Sequence, residues 1–268
     1  MKISKEQFIS ELLKSCKEYR EHSMAFWKLK TLAINGDTYY LPENDCYYGV
    51  YDKFMFCCFS KDNKCYIPFD ELNEFKCISM SKSMYEGIQN NLTDFNISYG
   101  YKLHYDFNYK IVSDAISRYS IESFDFLDDK HYESASKIIN QGNGDWIMPD
   151  NLKKIMREPV FDPSMWLFVK DNNTNELIGI SISTYDVQLK ETDIEWFYIL
   201  PEYHRKGVGR YLISEIIKRS EYRSSDIRVG GTNEFYKKCG FIEKESNVWA
   251  SKEGFSLYAP CIQPNVLP

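Results

Sequence analysis

The segment from Ile194 to Lys218 constrains this 268-residue chain more than any other stretch. Ile194, Trp196, Tyr198 and Leu200 alternate with Glu195, Phe197 and Ile199, the period-two pattern of a strand. Apolar bulk on both parities fits a strand covered on both faces. Pro201 has no N–H to give to a ladder and ends it. From Gly207 onward, Val208, Tyr211, Leu212, Ile216 and Ile217 recur at helical spacing. The predicted order is therefore strand, tight turn, helix, with Gly207 and Gly209 in the turn. Glycines let backbone approach a ligand closely, and the first N–H groups of a helix have no partners within it, so such a turn suits a phosphate group. Arg205, Lys206 and Arg210 add positive charge at the same place.

Two common phosphate loops do not fit. Gly207-Val-Gly209-Arg-Tyr-Leu212 has two of the three glycines of a dinucleotide fingerprint, and no acidic residue clearly ends a following strand. A P-loop needs Gly-Lys-Ser/Thr, which this turn lacks. Instead, His204-Arg205-Lys206-Gly207-Val208-Gly209, following the strand and a Pro-Glu-Tyr turn, resembles motif A of the GNAT superfamily, the acyl-CoA-dependent N-acetyltransferases. That signature reads Gln/Arg-x-x-Gly-x-Gly/Ala, and His204 departs from its first position. Asn233-Glu-Phe-Tyr236-Lys-Lys-Cys-Gly240-Phe241 resembles motif B in order and in separation from motif A. The family usually runs about a turn longer between the strand Ile227-Arg-Val229 and its tyrosine, which predicts a shortened helix around Tyr236.

The resemblance implies a fold and a set of roles. The fold class is α/β (α+β), a mixed, mostly antiparallel sheet with helices on both faces. The co-substrate is acetyl-CoA, with no metal. The positions matching the family's cofactor site are Ile199 and Leu200 on the strand, His204, Arg205, Lys206, Gly207, Val208, Gly209 and Arg210 in the loop and helix start, and Asn233 in motif B. In the family, backbone N–H groups of the loop hold the CoA pyrophosphate, and those at the strand end polarise the thioester. Tyr236 matches the general acid, because a phenol with an ordinary pKa near 10 is protonated at neutral pH and can hand its proton to a departing thiolate. Glu195 matches the base that takes the amine's proton, and Asp193 could substitute. The rival readings are a packing tyrosine and a solvated carboxylate. Trp166, Tyr185, Trp196 and Tyr198 read as core aromatics first and as an acceptor lining second. His22, His104 and His131 are scattered, and Cys239 reads as packing rather than as a nucleophile.

Composition is consistent with an intracellular enzyme. No run of 18 apolar residues predicts a membrane span, and the start Met-Lys-Ile-Ser-Lys-Glu-Gln-Phe lacks the apolar core of a signal peptide, so the expected location is cytoplasmic. A net charge of −6 argues against nucleic acid as partner. The eight cysteines, Cys16, Cys46, Cys57, Cys58, Cys65, Cys77, Cys239 and Cys261, form no Cys-x-x-Cys pair and read as reduced core residues. The function expected is transfer of an acetyl group from acetyl-CoA directly to a primary amine, borne by a small molecule or a protein. The alternative is a catalytically inactive CoA-binding or interaction protein. The acceptor and the assembly state stay open at this level.

The chain reads as two parts, residues 1–120 and 121–268. The first is an α+β domain without a Gly-x-Gly loop, either a degenerate GNAT unit or another module. Ser4 and Gln7 predict a helix start, with Phe8, Leu12, Leu13 and Cys16 as its apolar stripe. Strands are expected at Tyr39–Leu41, across Tyr47–Phe59, at Cys65–Ile67 and at Asn96–Tyr105, and a helical stretch over Phe69–Ile88. In the second part, strands are expected at Phe124–Leu127, Met165–Val169, Leu177–Ile182, Asp226–Val229 and Ile242–Ala250. Helices are expected at Tyr132–Ile139 and Asp150–Arg157, with Asp150 as N-cap.

Overall fold

Ser4 opens the first helix in the way its side chain favours: its Oγ accepts the N–H of Gln7 at 3.2 Å. The computed structural model describes residues 1–18, 24–111, 117–143, 147–231 and 234–253. Its elements in chain order are α1 (Lys5–Glu18), α2 (Phe26–Asn35), β1 (Asp37–Leu41), β2 (Cys46–Tyr51), β3 (Phe54–Ser60), α3 (Phe69–Leu72), β4 (Cys77–Ser81), α4 (Lys82–Ile88) and β5 (Asn96–Tyr105). There follow β6 (Tyr119–Ser123), α5 (Asp129–Asn143), α6 (Pro149–Ile155), β7 (Trp166–Asp171), β8 (Glu176–Asp186), β9 (Glu191–Ile199), α7 (Val208–Ser220), β10 (Asp226–Gly230), α8 (Glu234–Lys237) and β11 (Phe241–Ser251). Two compact units result. One is Met1–Lys102 together with the chain from Glu243 onward, and the other is Leu103–Ile242.

In the first unit β1, β2 and β3 pair antiparallel in sequence, β4 joins β3 in parallel, and Asn247–Ser251 of β11 pairs antiparallel with β4. Every residue of β3 is buried, because both faces of this sheet are covered. On one side, Phe8 from α1 packs on Phe56 and Phe59, at ring separations of 6.3 and 5.5 Å. On the other, Cys46, Tyr48, Met55, Cys58, Ile78 and Met84 build a second core. Two expectations fail here. Cys65–Ile67 is a loop rather than a strand. The stretch Phe69–Ile88 is broken by β4, whose five residues are all buried and so carry no alternation to betray a strand.

In the second unit β6, β7, β8 and β9 form an antiparallel meander, and β10 lies parallel to β9. α7 buries Val208, Leu212, Ile213, Ile216 and Ile217 in a core with Leu167, Val169, Ile194, Ile199, Ile227 and Val229. α5 and α6 supply Tyr132, Ala135, Ile138, Ile139 and Leu152 to a separate core with Trp166, Phe168, Ile180 and Ile182. Successive residues of β7 thus face opposite helices, and the unit is a mostly antiparallel sheet with helices on both faces. Two boundaries move. The first strand lies at Tyr119–Ser123, before the expected Phe124–Leu127, and Phe124 turns its ring onto Trp166 and Phe168. Asp150 is not the N-cap of α6: Pro149 already occupies the first helical position, where its fixed φ suits the turn, and Met148 is the cap.

Candidate active site

β9 carries an extra residue. Ile182 of β8 faces Trp196, yet Ser183 faces Ile194, so Glu195 has no opposite number and forms a bulge. The bulge resets which way the strand's side chains point. Ile194 joins the α7 core, then Phe197 and Ile199 pack on that same side, while Trp196 and Tyr198 turn to the α5–α6 core. Simple alternation along the strand would have put Ile194, Trp196 and Tyr198 together. Glu195 is half-buried at the point of change.

The parallel ladder between β9 and β10 runs from Glu191–Asp226 to Ile194–Val229. Beyond it β9 continues through Glu195–Ile199 and, among the described residues, pairs with β8 alone, which leaves its other edge open. Leu200 N–H donates to Ile178 O at 2.9 Å on the β8 side. Within one trans peptide unit the C=O points opposite to the N–H, so the Ile199 carbonyl faces the open edge. Along a regular strand the backbone groups of alternate residues share an edge, which places those of Ile199 and Phe197 there. Of the two strand positions expected to donate to a thioester, Leu200 has its N–H engaged by β8, and Ile199 presents its own to the opening.

Pro201–Tyr203 makes a single tight turn, closed by Tyr203 N–H to Leu200 O at 2.9 Å and His204 N–H to Pro201 O at 3.0 Å. His204 Nε2 then lies 2.8 Å from Ile199 O. Arg205 has φ +58° and Gly207 φ +82°, both left-handed. At Gly207 the conformation costs nothing, since glycine has no Cβ to clash. His204, Arg205, Lys206 and Gly207 are exposed, whereas Val208 is buried and pins the helix start. α7 begins with Tyr211 N–H bonded to Gly207 O at 3.0 Å. The preceding N–H groups of Val208, Gly209 and Arg210 belong to the first turn, which has no intrahelical acceptors. Lys206 Nζ sits 5.2 Å over the Tyr203 ring. The Arg210 guanidinium donates to Lys238 O at 2.7 Å, beyond the end of α8.

α8 is four residues long, as the short spacing of motif B predicts. A Cβ on Gly209 would lie 3.1 Å from the Phe235 ring and 3.8 Å from Ile199 Cγ1. The absence of that carbon therefore lets α7, α8 and β9 converge. Tyr236 is buried among Phe197, Phe235 and Phe241, at ring separations of 5.9, 5.2 and 5.8 Å. Burial raises the pKa of its phenol, which keeps the proton on at neutral pH and makes it a weaker acid. Burial also pushes the Cys239 thiol up to about 11, against the opposing pull of Arg210, which is the behaviour of a packing cysteine. Asn233 lies outside the described residues.

The remaining candidates separate clearly. Asp193 is buried and its carboxylate accepts from Arg228 at 2.6 Å, so it is held in an ion pair rather than poised as a base. Trp166 is fully buried, Trp196 and Tyr198 pack against its cluster, and the Tyr185 hydroxyl donates to Arg223 O at 3.0 Å; these aromatics build the core first. His104 pairs with Asp226 at 2.8 Å, and His131 Nδ1 accepts the N–H of Asp125 at 2.9 Å. His22 and Cys261 lie outside the described residues. Phe197 and Phe235, whose rings stack 5.6 Å apart beside Tyr236, have no polar signal that sequence reasoning could have used. Among the described residues no helix is long and apolar enough to cross a membrane, and no group of three or more His, Cys, Asp or Glu side chains is arranged to hold a metal ion.

Residues 162–243 match the family model for an acetyltransferase (GNAT) domain. The fold is similar to that of a GCN5-related N-acetyltransferase from Sphaerobacter thermophilus, with a TM-score of 0.66 and 11% identity over 94% of each chain. It is also similar to a GNAT-family acetyltransferase from Colwellia psychrerythraea, with a TM-score of 0.61 and 8% identity over 94% of this chain and 98% of that one. A tandem GNAT protein from the clavulanic acid biosynthesis pathway matches with a TM-score of 0.60 and 8% identity over 96% of this chain and 98% of that one. No curated protein sequence matches this chain.

Proposed function

From the GNAT domain that residues 162–243 carry, we propose that this protein transfers an acetyl group from acetyl-CoA directly to a primary amine. The observation that carries the reading is the end of the β9–β10 ladder at Ile194, five residues before β9 itself ends, beside an exposed glycine turn that starts a 13-residue helix. The residues present fit the co-substrate. Gly207, exposed and left-handed, would bring the first-turn N–H groups of α7 to a diphosphate, Gly209 lets that turn pack against Phe235 and Ile199, and Arg205 and Lys206 stand exposed on the same loop. When bound, acetyl-CoA supplies an activated thioester carbonyl and a thiolate leaving group. The Ile199 N–H faces the edge from which it can donate to the carbonyl oxygen as charge builds there. Glu195, at the bulge, takes the proton of the attacking amine, directly or through a water. Tyr236 gives its phenolic proton to the sulfur.

The acceptor is a small-molecule or protein amine. The first unit supports a reading as a second GNAT-like module without a glycine loop, because the likeness to the tandem protein spans nearly the whole chain. The second functional reading, CoA binding without transfer, draws on the buried setting of Tyr236, whose raised pKa makes proton donation to a thiolate uphill. Calorimetric titration with CoA, run beside a thiol-release assay over a panel of polyamines, aminoglycosides, amino acids and peptide amines, separates the two. Binding with turnover on at least one amine supports the transferase. Binding without turnover on any amine favours the second reading, and no binding removes both.

A further inference from the structure

The bond between His204 Nε2 and Ile199 O spans 2.8 Å and joins the first residue of the glycine loop to the end of β9. A carbonyl oxygen only accepts, so Nε2 carries a proton and donates. The Ile199 carbonyl faces the open edge, because the N–H of the same peptide unit is bonded to Ile178 O on β8. The ring of His204 therefore folds back over the one-turn Pro201–Tyr203 connection and closes the loop against the opening. The very next residue, Arg205, sits at φ +58°, a region that side chains with a Cβ resist. Such a conformation persists only where its surroundings over-determine it. The loop has exposed residues from His204 to Gly207, so few packing contacts can do that. The tie at His204 fixes the backbone immediately before Arg205, and Val208 fixes it immediately after Gly207.

We propose that His204 is a positioning residue whose Nε2–H anchors the loop to Ile199 O, so that the left-handed turn and the α7 N–H groups stand preset for the diphosphate of CoA. The inference rests on the CoA reading above. What the loop needs from this position is a donor that reaches the carbonyl, and positive charge is secondary. Glutamine offers an amide N–H without charge. Phenylalanine keeps a ring without a donor.

The test compares the full chain as wild type, His204→Gln and His204→Phe, using CoA as the calorimetric probe and thermal melting as the control. Long-range ¹H–¹⁵N spectra of the CoA-free wild type report which ring nitrogen holds the proton. The expected result is protonated Nε2, CoA binding about five- to tenfold weaker in His204→Phe, the size of one lost hydrogen bond, affinity within about twofold of wild type in His204→Gln, and unchanged melting in both. The inference is overturned if His204→Phe binds like wild type, if His204→Gln falls as far as His204→Phe, or if Nε2 is unprotonated. Wild type that shows protonated Nε2 but no CoA binding removes the CoA reading itself, and the role argued for His204 with it.

Discussion

Arg228 and Asp193 face each other across the last rung but one of the β9–β10 ladder, 2.6 Å apart, just before the two strands part. Arg228 also reaches Glu191 at 3.0 Å, and all three side chains are buried. These flanking carboxylates keep the Arg228 guanidinium protonated against the cost of its burial. Removing one member of a buried ion cluster leaves the others uncompensated, which costs about 3–5 kcal/mol. Arg228→Met should therefore lower unfolding free energy by that amount in urea titrations. A loss below about 1 kcal/mol would show that the cluster does not hold the ladder.

Gly209→Val should weaken CoA binding by at least about tenfold. The added branches would crowd Phe235 and Ile199 and displace the first turn of α7, whose N–H groups would face the diphosphate, and each lost contact from an N–H to a charged group is worth about 1.5–3 kcal/mol. The first added carbon would also press on Phe235 at 3.1 Å. Calorimetry on protein shown to be folded by circular dichroism reads this directly, and unchanged affinity would remove the glycine turn from the site.

Tyr236→Phe deletes one hydroxyl and leaves the ring among Phe197, Phe235 and Phe241. CoA affinity should hold. General acid assistance contributes about 10²–10⁴-fold, and the raised pKa of the phenol places the expected fall in turnover near the lower end. A fall of only twofold at saturating substrates would assign the proton to water or to the ammonium product.

Acid should act through Asp171. The Arg118 guanidinium, bonded at 2.6 Å, holds this carboxyl below the usual carboxylate range. A depressed folded-state pKa stabilises above the ordinary value, about 3.9, and that contribution disappears as pH falls through the folded value. Arg118→Gln should thus melt lower than wild type at neutral pH, and the gap should narrow as pH falls below the ordinary carboxylate value and through the depressed folded-state one. A gap of equal size at both ends would assign the loss to something other than this pair.

The strand, turn and helix around Gly207 were legible because each is signalled locally. Pro201 stops β9, Val208 through Ile217 repeat at helical spacing, and the observed β9 and α7 end and begin at Ile199 and Val208. The short α8 was legible from the spacing before Tyr236. The bulge at Glu195 was not, because apolar residues on both sides of it fit a regular strand equally well. Asp193 read as a spare carboxylate because its partner, Arg228, is 35 residues away in sequence. β4 was missed for want of alternation, and the bond from His204 to Ile199 depends on a backbone direction that no residue type encodes.

β4 lies between a strand made just before it and one made long after. Its parallel neighbour β3 precedes it, while Asn247–Ser251 of β11 follows only after the whole of Leu103–Ile242. A ribosome builds the chain from its N-terminus, so the unit begun first is finished last. Until then one flank of Cys77–Ser81 lacks its native partner strand, while the domain with the glycine turn can already be complete.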